Sequence, residues 1–356
     1  MKVSIISVAE LDGGLLTRWR ALQRFNHELA SPFFAPEFTL AVGAVREDVR
    51  VAVLEDAQHD VVGLLPFQQQ WGHGEPVGAP LSDHHGMVCT AGLRWSWEHL
   101  LRNAGLASWR FDRLPLSQAP RGACVQAFAP TAKLSRKFDH FSASLGPAGA
   151  ACLVRLEGHA ARMADACGPL RFYPHSDASD GLAAVLRLRS RQLRRAGQRD
   201  CLNEERWLHA LLDHLLATES PHCAPRLSAL YAGDTLVAAH LGIRSERVWH
   251  RWLAGQDLQW EEYWPGTQLL LRVLHTAALS GCDHADFGRA DDGGESAALV
   301  NASAPVAEGF VAGAGFATAF CRVRREGPRW LRTLPILQPL RPLVQGIRRW
   351  RQPVRR

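Results

Sequence analysis

The segment best suited to chemistry is Trp264-Pro265-Gly266-Thr267-Gln268, which runs into three leucines. Proline then glycine stand where a helix would open. The first N–H groups of such a helix are unpaired, and with the helix dipole they suit an anion such as a pyrophosphate. The same residues also suit an ordinary helix start. Residues 286–291 read Asp-Phe-Gly-Arg-Ala-Asp. A strand ending at Gly288, flanked by Asp286 and Arg289, can set polar groups at a cleft or turn into a solvated loop. Arg189 falls on one helical face with Leu182, Val185, Leu186 and Leu193, and Gln192 shares that side. A charge within an apolar stripe is costly unless it is paired or faces a ligand. This predicts either a polar site at a lobe boundary or an ion pair. His240 and His250 fall on neighbouring strands, and a neutral imidazole there can accept an ammonium proton. Each also fits a hydrogen-bonded structural role. Asp257 and Asp286 are the carboxylate alternatives.

The elements that position these groups follow from periodicity. Leu208, Leu211, Leu212, Leu215 and Leu216 mark an amphipathic helix within 204–217. Stretches 226–231, 236–243 and 248–254 read as antiparallel strands. Residues 267–280 form a second helix that stops at Gly281, and 284–288 a short strand. In the first half, 49–70 reads as a hairpin after a helical segment at 16–25. A duplicated helix-then-hairpin unit is expected. Residues 113–133 hold prolines at 115, 120 and 130 with little periodicity, and read as a connector. The motif Leu-Ser-Asp-His-His-Gly at 81–86 resembles the Asp-His-His signature of manganese phosphoesterases. That signature needs earlier Asp-rich motifs, and residues 1–80 offer only isolated aspartates at 12, 48, 56 and 60. No metal is therefore expected, and 81–86 reads as a polar loop facing a cleft between lobes.

Composition bounds the rest. A chain of 356 residues suits two domains, expected at 1–135 and 136–321, with a basic tail at 322–356. The tail holds 11 arginines and one acid. The remainder carries 30 basic and 34 acidic residues, a net charge of −4. That balance argues against a nucleic-acid face on the body. The tail sets Trp330, Trp350 and several leucines among arginines, which suits an anionic membrane surface or a synthase-complex partner. The same apolar residues also suit packing back onto the body. No stretch is long and apolar enough to span a bilayer, no secretory leader is evident, and the eight cysteines form no CxxC pair. A reduced cytoplasmic location is expected, with peripheral attachment at the inner face of the membrane through the tail. No Ser-His-Asp or Cys-His arrangement is evident.

Several runs together carry a family likeness. They are GPLRFYPHSD (168–177), LRSRQLRRAG (188–197), LSALYAGDTLVAAHLGIRS (227–245), VWHRWLAGQD (248–257), WPGTQLLL (264–271), DFGRAD (286–291) and APVAEGFV (304–311). In order and spacing, residues 168–311 resemble the acetyltransferase-like domain of the cellulose-biosynthesis-associated proteins. That group is a GNAT branch related to Fem-type peptidyltransferases. SPFFAPEF (31–38) and PLSDHHG (80–86) resemble it more weakly. The resemblance implies an α/β (α+β) fold of two GNAT-like lobes, with mixed, mostly antiparallel sheets flanked by helices. It implies acetyl-CoA or another acyl-CoA as co-substrate. Strand 248–254, with Trp252, would take the pantetheine arm, and Pro265–Gln268 behind Trp264 the pyrophosphate, with Gly288 and Arg289 nearby. The expected activity is acyl transfer to an amine or hydroxyl of a sugar, lipid-linked sugar or small metabolite in exopolysaccharide production. This chain has Leu188-Arg189 where the family has Trp-Lys, and Trp264 where it has Ser. It also lacks the family's Tyr-Lys pair in 293–300, which leaves open a non-catalytic partner role in a polysaccharide-synthesis complex. A Fem-like aminoacyl transferase is the remaining alternative.

Overall fold

The computed structural model describes residues 1–120, 124–176, 178–218, 220–289 and 294–313, so the expectations for the tail at 322–356 lie outside the described residues. The first half supplies strands β1 (Lys2–Ser7), β2 (Val49–Glu55), β3 (Val61–Gln70), β4 (His73–Glu75), β5 (Val88–Cys89), β6 (Ser108–Pro115) and β7 (Cys124–Lys133). Its helices are α1 (Gly13–Arg24), α2 (Pro36–Val45) and α3 (Trp97–Asn103). The second half supplies α4 (Phe138–Ser144), α5 (Gly146–Cys167), β8 (Leu170–Tyr173), α6 (Ala178–Arg195), α7 (Cys201–Glu204) and α8 (Arg206–Leu216). Then come β9 (Ala224–Ala232), β10 (Thr235–Arg244), β11 (Val248–Gln256), α9 (Pro265–Leu279), β12 (His284–Asp286) and β13 (Ala302–Ala312). The expected hairpins and helices thus form. The duplication is larger than a helix and hairpin: β1-α1-α2-β2-β3 in one half repeats as β8-α6-α7-α8-β9-β10 in the other.

All strands join one mixed sheet, ordered β1-β2-β3-β4-β6-β13-β7-β12-β11-β10-β9-β8, with β5 beside β3. Pairing is antiparallel except for β4 with β6 and β11 with β12. The sheet is interlocked at its centre. Strand β13, from the end of the described chain, pairs with β6 of the first half, whereas β7 pairs with β12 of the second. Residues 113–133 are therefore not a connector. They contain the end of β6 and all of β7. Alternation is masked there because Val125 and Phe128 stay exposed, and Pro130 sits within the strand.

Apolar residues close both faces of the second half. Leu182, Val185 and Leu188 of α6 and Leu208, Leu211 and Leu212 of α8 pack with Leu241, Ile243 and Leu253 on one face. Leu269, Leu270, Val273 and Leu274 of α9 pack with Val237, Trp249 and Phe287 on the other. The first of these clusters also takes in Phe33, Phe38 and Val42, so one core spans the two halves.

Two local features open the sheet at its centre. Strand β11 pairs with β12 only from Val248 to His250, so among the described residues no strand pairs with the rest of that edge. Across the other edge the register slips between Leu241 and Gly242, which face Leu253 and Arg251 and leave Trp252 as the extra residue. A bulge of this kind bends the strand and re-aims a side chain. Here the Trp252 indole donates to the Leu81 carbonyl at 2.7 Å and sits against Phe33 and Phe38. At the end of β11, Gly255 lets α6 approach closely, because a Cβ there would lie 2.5 Å from the Arg189 backbone nitrogen.

Candidate active site

The gap where β11 leaves β12 holds a cavity of about 530 Å³. Its wall is built from β11 residues 251–256, Arg189 and Gln192 of α6, and His240 of β10. Gly266 and Leu269 of α9, Phe287, Arg289 and the Pro80–Asp83 loop complete it. The structure thus brings together Arg189, Gln192, His240, Trp252, Gly266 and Arg289 from the expected set. The Arg189 side chain makes no ion pair or hydrogen bond among the described residues, although it lies on the helix face that packs on the sheet.

The helix start is capped by side chains. Trp264 is left-handed (φ 53°), an uncommon conformation for a non-glycine residue, and it sets the direction of α9. The Gly266 N–H donates to Gln256 Oε1 at 2.9 Å, and the Gln256 N–H donates to Gln192 Oε1 at 3.1 Å. The open edge of β11 and the helix N-terminus therefore each hold a glutamine carbonyl, the same acceptor chemistry as an amide or a phosphate oxygen. The other expected cradle residues sit elsewhere. The Trp264 ring packs on His159 (4.6 Å) and under Arg155 (5.4 Å). Thr267 and Gln268 are buried, and Gln268 donates to the Tyr263 carbonyl. Pro265 fills the first helical position and is buried. Asp257 is also outside the cavity, because its carboxylate accepts from the Gln259 N–H as an N-cap.

His240 is buried, and neither ring nitrogen has a hydrogen-bond partner among the described residues. Burial pushes its pKa down to about 3, helped by the nearby charges of Arg251 and His250. An imidazole that stays neutral so far below pH 7 is a weak base. What it offers the cavity is a hydrogen bond.

Behind the cavity lies a buried charge network that joins the two halves. His250 meets Asp83 at 2.6 Å, and His84 meets Asp286 at 2.6 Å. Asp286 also accepts from Arg113 at 3.2 Å, and Arg113 donates to the Gly288 carbonyl at 2.7 Å. Arg289 is held between Asp83 (2.9 Å) and Asp112 (2.7 Å). Gly288, at φ 66°, fits because a Cβ there would lie 2.5 Å from the Arg251 carbonyl and 2.7 Å from Asp83. Burial works to raise the Asp286 pKa, but His84, His250 and Arg113 outweigh it and hold the carboxyl below its usual range. Asp83 is lowered in the same way: burial opposes, and His250, Arg113 and Arg289 prevail. His84, His250 and Asp286 present ligand atoms within 4.8 Å of one another. The Arg113 guanidinium against Asp286 makes this set an ion-pair network and a poor seat for another cation.

Asp83 and His84 come from the 81–86 loop, which does face the cleft between the halves. What the sequence did not reveal is that this loop carries the partners of His250 and Asp286. Those partners are separated by 167 and 202 residues. Arg113 and Gln256 were also missed: Arg113 stands in no recognisable motif, and Gln256, though within the 248–257 run, was given no role there.

Comparison with known proteins agrees with this architecture. Residues 158–294 match the model of the acetyltransferase (GNAT) domain. Among solved structures, FemX superposes with a TM-score of 0.57 at 10% identity, over 92% of this chain and 100% of that one. The C-terminal domain of a proposed lysylphosphatidylglycerol synthetase from Agrobacterium fabrum superposes with a TM-score of 0.50 at 11% identity, over 88% and 95%. A conserved protein of unknown function from Bacteroides thetaiotaomicron gives 0.50 at 11% identity, over 83% and 97%. No curated protein matches the sequence. Among the described residues, no helix is long and apolar enough to cross a membrane. Residues 158–294 are thus similar to a GNAT acetyltransferase domain, and the mixed α/β fold is consistent with the GNAT fold.

Proposed function

We propose that the protein is an acyl-CoA-dependent N-acyltransferase acting on a small or saccharide amine. The observation that carries this reading is the edge of β11 at Trp252–Gln256, which pairs with no strand among the described residues and faces a cavity ending at the N-terminus of α9. Backbone N–H and C=O groups on an edge without a paired strand suit the amides of a pantetheine arm, and the helix start suits its phosphates. The residues present fit such a donor. Gly266 keeps the helix start open, and the unpartnered His240 imidazole faces the space. Gln192 and Gln256 give up their present bonds to the incoming amide and phosphate groups.

A bound acyl thioester supplies the activated carbonyl. The chain's own contribution is to position, polarise and exclude water. Arg289, fixed by Asp83 and Asp112, is the cation best placed to stabilise charge developing on a carbonyl oxygen. His250, Asp286, His84 and Arg113 are positioning residues, since they act through Asp83 and Gly288. The amine attacks the carbonyl carbon, the C–S bond breaks, and the proton lost by the amine ends on the sulfur. The resemblance to cellulose-biosynthesis-associated proteins supports a link to polysaccharide production. Two structural neighbours are named FemX and a lysylphosphatidylglycerol synthetase. Those names leave aminoacyl transfer as the second reading to test.

Arg189 gives a direct check. With no ionic partner among the described residues, its replacement by glutamine should leave the melting temperature within about 2 °C of the parent, as for a surface change. Loss of a charged contact to the donor should weaken acyl-CoA binding about tenfold or more in calorimetric titration. A large fall in melting temperature with unchanged affinity would show that Arg189 serves the fold alone.

A further inference from the structure

The duplication has a consequence in the first half. Strands β4 and β6 pair in parallel only at His73–Ser108 and Gly74–Trp109, and then separate. This repeats the β11–β12 arrangement, where parallel pairing stops at His250–Asp286. The gap after β4 also holds a cavity, of about 350 Å³, and Pro80 and Arg289 line both spaces. A molecule in the second cavity would thus abut, across Arg289, the end of a molecule in the first.

The lining states what would bind. Trp207, whose indole N–H donates to Glu205 and whose ring lies under Arg46, stands beside Gln70, Glu75, Arg110 and Asp112, so donors, acceptors and charges of both signs line the wall. Arg110 makes no side-chain hydrogen bond or ion pair among the described residues. Ser82, in the same wall, has a buried hydroxyl without a hydrogen-bond partner. Mixed donors and acceptors around one aromatic ring suit a polyhydroxylated molecule better than a polyanion or an apolar chain. Glu75, which makes no ion pair among the described residues, suits an ammonium group.

We propose that this second cavity is the acceptor site, and that it takes a hydroxyl-rich primary amine about the size of one or two sugar rings. The proposal rests on the acyltransferase reading, with the donor in the first cavity and the acceptor in the second. Saturation-transfer NMR on the full chain tests it, with glucosamine, glucose and cyclohexylamine as probes and acetyl-CoA titrated separately. Glucosamine should give ring-proton transfer, and cyclohexylamine should give at least fivefold less. The exposed-site variant Arg110→Glu and the ring variant Trp207→Ala should each reduce the glucosamine signal at least threefold while leaving acetyl-CoA affinity unchanged. Arg189→Gln should do the reverse. Absence of glucosamine transfer, or transfer unchanged in both variants of the second cavity, overturns the proposal. A glucosamine signal that behaves as expected while acetyl-CoA does not bind supports this site and sinks the donor reading instead.

Discussion

Replacing Asp286 by alanine is expected to lower the unfolding free energy by about 3–5 kcal/mol, the range for breaking a buried ion pair from one side. The carboxylate is buried and accepts from His84, from Arg113 and from the Gly288 N–H at 2.7 Å. Its removal leaves a buried guanidinium and a buried imidazole without their partner. It also releases the Gly288 turn that aims Arg289. Because Asp83, His84 and Arg113 come from the first half and His250 and Asp286 from the second, the loss should loosen contact between the halves. Urea denaturation of parent and variant measures this. Asp286→Asn keeps the shape and one acceptor oxygen, and should fall between the two. A change below about 1 kcal/mol for the alanine variant would show that the network is solvated in solution.

Acid should destabilise the fold well above the carboxylate range. Burial pushes both His85 and His240 down to about 3. His85 Nε2 accepts the Asp112 backbone N–H at 3.1 Å, so that nitrogen carries no proton in the fold. The unfolded chain titrates these imidazoles near the ordinary value of about 6.5. Folded values lie lower, so the stabilising contribution is complete above about pH 6.5 and is lost as pH falls towards 3. Each histidine should cost roughly 1.4 kcal/mol per pH unit within that window. From pH 6.5 to 4.5 the pair should therefore remove up to about 5 kcal/mol. Replacing His240 by glutamine should flatten the slope by roughly 1.4 kcal/mol per unit. An unchanged slope in that variant would mean that His240 gains a proton within the fold.

How much of this was legible depends on range. The amphipathic repeat at Leu208–Leu216 and the Pro265 and Gly281 boundaries are local signals, and the helices formed where those signals put them. The 49–70 hairpin was local in the same sense. The position of β7 was not legible, because its inner and outer faces are both partly covered and it joins strands from the other half. Arg189 stood out because a charge on an apolar face needs a reason, and His240 because a strand imidazole can act as a base; both line the cavity. Asp257 carried the same residue type as a candidate base but serves a cap, a role that only local geometry reveals. The pairing of Asp83 with His250 needed the bulge at Trp252 and the close approach of Gly288. Neither feature has a signature in a single sequence.

The central claim is that the acyl donor lies along the open edge of β11. Hydrogen–deuterium exchange with and without saturating acetyl-CoA tests it most directly, because it reads the backbone amides of residues 251–256 themselves. Protection confined to 251–256 and the first turn of α9, released when the ligand is removed, is the expected result. Binding that protects other segments while 251–256 exchange at the unliganded rate would contradict it.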